Sequence, residues 1–140
     1  MNIPVTYDPK RVIMVVGAAI LSGYAEGTFI TAARHVDLFT LKVGNDGYPV
    51  RSKSSNISGE MTITLQQTSP SNSVLAAYYA LDEAMSLGVV PVIVKDLSSG
   101  TALATAPAAW VRRIPNFDRE AKDKDIAWMF DCAQIYITPL

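Results

Sequence analysis

Residues 59–72, GEMTITLQQTSPSN, constrain the fold more than any other stretch of this chain. Met61, Ile63 and Leu65 alternate with Glu60, Thr62, Thr64 and Gln66. A period of two gives a strand one apolar and one polar face. The strand then runs through Thr68, Ser69 and Pro70 straight into a helix. Ser69 suits the cap, and Pro70 suits the first helical position, where a missing N–H costs nothing. The polar face carries hydroxyls, an amide and one carboxylate, and nothing that resembles a catalytic group.

The remainder reads as short strands around one helix. Residues 11–16 are rich in β-branched side chains and predict a buried strand. Glycines at 17, 23 and 27 punctuate short strands, the last over 28–34. Residues 36–58 differ: Gly44-Asn45-Asp46-Gly47 is a sharp turn signal in which Asn-Asp-Gly supplies the positive φ angles, and 38–43 and 48–50 are its arms. We read 36–58 as a long projecting hairpin loop, more mobile than the domain body. The helix spans 71–87, with Val74, Tyr78, Leu81 and Met85 as its core stripe, Leu75 beside it and Gly88 as its left-handed stop. A hairpin follows over 89–95 and 101–106, in which Pro91 marks an edge or a bulge. Residues 110–114 predict a further arm, 118–125 a solvated charged bend, and 126–138 a long terminal strand. The expected fold is one domain over 1–140, mainly β with one helix. Two antiparallel sheets pack as a sandwich or partly closed barrel, flanked by the α-helix.

Composition narrows the function. The 140 residues are 49% apolar and only 18% charged, against about 25% charged for an ordinary soluble domain. No window offers the ~20 apolar residues a spanning helix needs, so self-assembly is the simpler way to cover apolar surface. Twelve basic and 13 acidic residues give a net charge of −1, which argues against nucleic acid as a bound ligand. Cys132 is the single cysteine, which rules out an internal disulfide, and it reads as a small buried hydrophobe. Lys10 and Arg11 followed by VIMVVGAAIL imitate a secretory leader, but Asp8-Pro9 interrupts the basic start, and we read the segment as a mature strand.

Nothing in the chain announces catalysis or a cofactor. His35 is the one histidine, without a neighbour at metal-ligand spacing, and we read it as a surface or interface residue. There is no nucleophile elbow and no glycine-rich phosphate loop. Asn45-Asp46-Gly47 is too short for a calcium loop. Glu60 and Asp131 both fall on strands, but the sequence does not bring them together.

The 59–72 junction resembles the tail tube proteins of contractile-tailed bacteriophages. So do YDPKRV at 7–12, LSGYAEGTFI at 21–30, and KDLSSG at 95–100 with AWMFDC at 127–132. These stretches span nearly the whole chain in the same order. The resemblance implies a structural virion protein, not an enzyme. Its copies join into hexameric rings that stack as the inner tube of a contractile phage tail, a conduit for the genome. It implies a sheath protein outside, a tape measure protein in the lumen, baseplate and terminator proteins at the ends, and genomic DNA in transit only. Assembly would take place in the host bacterial cytoplasm.

Under that resemblance, Glu60, Thr62, Thr64 and Gln66 are the candidates for lumen lining, since a channel for a polyanion should avoid cations. Arg34, on one face of the preceding strand, would be an awkward lumen cation. The 36–58 loop corresponds to a hairpin that reaches neighbouring subunits and rings, through Asp37, Lys42, Asn45, Asp46, Tyr48, Arg51 and Lys53. Residues 1–10, with Tyr7, Asp8 and Lys10, form a second contact arm. Two alternatives share the shape: a tube or ring component of a bacterial contractile injection system, and a tail terminator. A third, from another class, is a small-ligand-binding β-barrel with Trp110, Trp128, Phe130 and Tyr136 around a pocket; no convergent polar groups mark one.

Overall fold

Burial along the strand Gly59–Leu65 follows the alternation residue by residue: Met61, Ile63 and Leu65 are fully buried, while Glu60, Thr62 and Thr64 are part-exposed. A computed structural model describes residues 2–138. In chain order the elements are β1 (Val12–Val16), β2 (Ala19–Ile20), β3 (Ile30–Arg34), β4 (Phe39–Val43), β5 (Pro49–Lys53) and β6 (Gly59–Leu65). The helix α1 (Ser71–Met85) follows, then β7 (Val90–Asp96), β8 (Thr101–Val111), β9 (Ile126–Cys132) and β10 (Tyr136–Ile137).

The fold is mainly β, with two antiparallel sheets, one helix and no closed barrel among the described residues. The larger sheet has eight strands in the order β2-β1-β7-β8-β9-β6-β3, with β10 beside β8; β4 and β5 form the smaller. Side chains from β1, β6, β7, β8 and β9 enter one core cluster, so two limbs of the larger sheet supply the opposed layers. β8 is the corner. Its first part pairs with β7 and β10, and Ala109–Val111 pair with β9. Pro91 sits at a register shift between Val90 and Val92. It is a bulge and not an edge, because β7 pairs with β1 on its other side. Bulges of this kind bend a strand and increase its twist.

Tyr24 ties the limbs together. Its backbone bridges Leu65 on β6, while its hydroxyl accepts from Met14 N–H on β1 at 2.9 Å and donates to Leu21 O at 2.9 Å. The strand-to-helix junction is pinned to the same loop: Ser69 Oγ donates to Ser22 O at 2.5 Å, and Ser71 Oγ accepts from Ser22 N–H at 2.9 Å. Gly23 makes this approach feasible. It holds φ +73°, and a Cβ there would stand 2.7 Å from the Ser69 side chain. Ser69 Oγ also accepts from Ser71 N–H, with Pro70 already at helical angles.

Four expectations need correction. The helix buries Leu75 and Ser71, with Val74, Tyr78 and Tyr79 part-covered; Leu81 and Met85 are 39% and 66% exposed. Periodicity identified an apolar row, but the chain covers only its N-terminal half. The helix stops through Ser86, at φ 55°, and not through Gly88. Gly88 is instead required for space, since a Cβ would collide with Asp82 and lie 2.7 Å from Tyr78 O. Residues 110–114 are not a separate arm: Trp110 and Val111 continue β8. The terminal strand is broken at 133–135, where Ile135 N–H bonds to Ile57 O and buries the Ile135 side chain.

Candidate assembly surface

The outer face of β6 presents Glu60, Thr62 and Thr64 beside β9, whose Asp131, Met129 and Ala127 stand opposite them in register. Gln66 continues the row just past the strand and donates from Nε2 to Tyr24 O at 3.3 Å. Arg34 is absent from this face. It registers with Gly59, one residue out of step with Glu60, and its guanidinium donates to Ile135 O at 3.2 Å. That packing needs Gly59, because a Cβ there would collide with Ala33 O and sit 2.5 Å from Ile135 Cγ2.

At one end of this face four charged or titratable side chains converge. Glu60 and Asp131 are direct cross-strand partners, and Arg112, just beyond β8, spans them. Its Nη2 donates to Asp131 Oδ1 at 2.5 Å and to Glu60 Oε2 at 2.7 Å, and its Nε donates to Asp131 Oδ1 at 3.0 Å. Facing carboxylates repel unless a cation intervenes. The bonds to Asp131 and then Glu60 hold the Arg112 guanidinium above even its usual high range, so it stays charged. His35 Nε2 stands 3.9 Å from Asp131 Oδ1 and 4.0 Å from Glu60 Oε2, while its Nδ1 is 3.1 Å from Ser58 Oγ.

One imidazole and two carboxylates within 4.8 Å of one another are a donor set a divalent ion can use. Here Arg112 already occupies both carboxylates, and a metal would have to displace that cation. The cluster is a structural clamp on the strand pair. Sequence reading weighed Glu60 and Asp131 as a carboxylate pair it could not place together, took His35 alone, and missed Arg112. The pairing is set by the β6–β9 register, and no local motif encodes it.

The hairpin β4–β5 has a different character. All ten of its strand residues are exposed. Its turn closes with Gly47 N–H on Gly44 O and Gly44 N–H on Tyr48 O, both at 2.9 Å, and only Gly47 takes positive φ, at +86°. Asn45 and Asp46 therefore do not supply positive φ. They occupy the centre of a type I turn, followed by the glycine bulge common in longer hairpins. Arg51 stacks on the Phe39 ring at 4.1 Å, and among the described residues no ion pair involves Asp37, Lys42, Asp46, Arg51 or Lys53. Tyr48 is 73% exposed.

At the other end, Asp8 Oδ1 accepts from Lys10 N–H at 3.0 Å and starts the 3-10 turn Pro9–Arg11, from which residues 2–7 extend. Met1 of the expected arm lies outside the described residues. The four aromatics weighed as pocket walls do not converge. Trp128 and Phe130 are core, Trp110 is on the opposite face of β8 from buried Ala109 and Val111, and Tyr136 is 48% exposed.

This curled sheet with a flanking helix is the fold of tube and terminator subunits of contractile injection machines. The chain superposes on the tube-terminating cap of the anti-feeding prophage with a TM-score of 0.58 at 14% identity, covering 100% of this chain and 97% of the other. It matches the sheath/tube terminator of an extracellular contractile injection system, PVC, with 0.60 at 11% identity over 99% and 100%. A chain of the PVC sheath–tube complex gives 0.62 at 12% over 96% and 93%. Sequence narrows the class further. The chain is 34% identical over 130 residues to the structural protein ORF10 of Pseudomonas phage KPP10, spanning 86% of this chain and 75% of that one. The model of the bacteriophage PhiTE tail tube protein family matches residues 7–138, and the chain belongs to that family. It is a family of phage structural proteins, and the virion is where such a protein resides.

Proposed function

We propose that this chain polymerises as stacked hexameric rings into the inner tube of a contractile phage tail and forms the conduit for genome delivery. Family membership supports the tube. The observation that carries polymerisation is the state of the sheet: among the described residues β2 and β3 end it with no strand beyond them, and every strand residue of the hairpin β4–β5 is exposed. Unpaired strand edges drive association unless they are blocked, and a ring pairs them between copies. Outside that tube we place a sheath protein, inside it a tape measure protein and then DNA in transit, and at its ends baseplate and terminator proteins. Assembly takes place in the host cytoplasm.

Glu60, Thr62, Thr64 and Gln66 line the lumen in this reading. Their face carries two carboxylates against one clamped arginine, a weakly anionic wall that does not hold DNA phosphates. The hairpin 36–58 and the arm 1–10 make the contacts between subunits and rings.

Negative-stain images of the purified protein should show hollow rods or stacked rings, and featureless monomers at high concentration would refute the proposal. In those rods a Thr62→Cys thiol should react with a small maleimide but not with a polymer-linked one; equal labelling by both would move this face outside. A second reading, a terminator, is favoured by the likeness to a tube-terminating cap and to a sheath/tube terminator. It predicts single rings that never extend.

A further inference from the structure

The mouth of the curled sheet is open between β3 and β10. A cavity of about 460 Å³ lies there, walled by Ile30 and Ala32 of β3, Val94 of β7, Leu103 and Ala104 of β8, and Ile137 of β10. Val94 and Ala104 at its base are buried, whereas Ile137 at its rim is 40% exposed. Among the described residues β3 pairs only with β6, and β10 only with β8, so each brings an unpaired edge to the mouth. An apolar slot between two free edges suits an extended peptide, which supplies alternate side chains to the slot and backbone groups to an edge.

The chain carries such a peptide. In residues 2–7, Ile3, Val5 and Tyr7 alternate with Asn2, Pro4 and Thr6. The three apolar side chains are 82%, 96% and 68% exposed. Pro4 lacks an N–H, which confines such a strand to pairing along an edge. Tyr7 stands at the rim of its own cavity, yet Ile3 and Val5 do not enter it. The Asp8-capped turn, held to the residue just past β7 by Leu97 N–H on Arg11 O at 2.8 Å, fixes where the arm leaves the body. From Tyr7 back to Ile3 an extended arm reaches about 13–14 Å, far enough to enter an adjoining molecule.

We propose that the slot between β3 and β10 receives Ile3–Tyr7 of a second copy of this chain. Val5 fills the apolar base, Ile3 and Tyr7 flank it, and the arm backbone pairs with a free edge. This deepens the tube reading and rests on it for the supply of neighbouring copies. It names the receptor of the N-terminal arm.

Disulfide trapping in the full chain tests it. Val5→Cys and Thr28→Cys are made separately, Thr28 being at the slot rim, each in a Cys132→Ser background. When the two are mixed and oxidised, a cross-linked heterodimer should form, and Val5→Asp in place of Val5→Cys should raise the concentration for half-assembly at least tenfold. A Leu103→Glu change in the slot should do the same, with circular dichroism showing an unaltered fold. An internal bond in the doubly substituted chain, with none between mixed single variants, would mean each arm fills its own slot and would overturn the proposal. So would rods that form normally with Val5→Asp, although the tube reading would then stand. A heterodimer cross-link without rods or rings would uphold the arm contact and sink the tube.

Discussion

Strands β6 and β4 are written with the same alternation and meet opposite fates. Met61, Ile63 and Leu65 are buried to the last atom, while Phe39, Leu41 and Val43 are 39%, 73% and 56% exposed. The apolar row in β6 faces a second limb of its own sheet. The row in β4 meets only Arg51 of its own hairpin, over Phe39, and among the described residues no second layer packs on it. Alternation therefore states that a face wants cover and is silent on who provides it. In β6 the cover is intramolecular, and in β4, under the proposed function, another copy supplies it.

The sharpest way to break this contrast is to truncate one side chain of each row. Ile63→Ala should destabilise the monomer by about 2–5 kcal/mol, read from the urea midpoint, because it leaves a cavity in a core that cannot collapse. A loss below about 1 kcal/mol would mean the limbs are not packed as described.

A smaller effect sharpens the picture of the body. Burial pushes the Cys132 thiol up to about 11. The unfolded thiol ionises near 9, so between these values the unfolded chain has released a proton that the folded chain retains. Stability from this group is therefore complete below about pH 9 and is lost as pH rises to about 11, a total of about 2–3 kcal/mol. Cys132→Ala should flatten that part of the pH–stability profile relative to the parent. Tyr24, raised by burial in the same sense, would still contribute a decline. An unchanged slope would show that Cys132 is reached by solvent.

The smallest effect on the monomer belongs to the hairpin. Leu41→Ser should shift its unfolding free energy by no more than about 0.5 kcal/mol, yet raise the concentration needed for assembly. If it destabilises the monomer as Ile63→Ala does, the hairpin is packed on its own body.

What was legible in the sequence follows the same division. The β6-to-helix junction, the position of the 44–47 turn and the antiparallel hairpin of β7 and β8 all rest on local chemistry and could be read directly, whereas Pro91 left edge and bulge open until the β1–β7 pairing decided it. The helix face was misjudged because Leu81 and Met85 fit a 3.6-residue row whose far half has no intramolecular partner. The union of Arg112 with Glu60 and Asp131 was invisible: it depends on which strands become neighbours, across 52 and 19 residues of chain. Arg34 looked like a channel cation until the β3–β6 register put it on the other face.

The corner strand β8 has a mechanical consequence. Because one uninterrupted backbone runs from the β7 side to the β9 side, no seam separates the limbs. Tension across the subunit is borne by covalent bonds along that strand and not by sliding of one layer over another. Such a unit resists shear between its layers, which the proposed tube would require of each subunit.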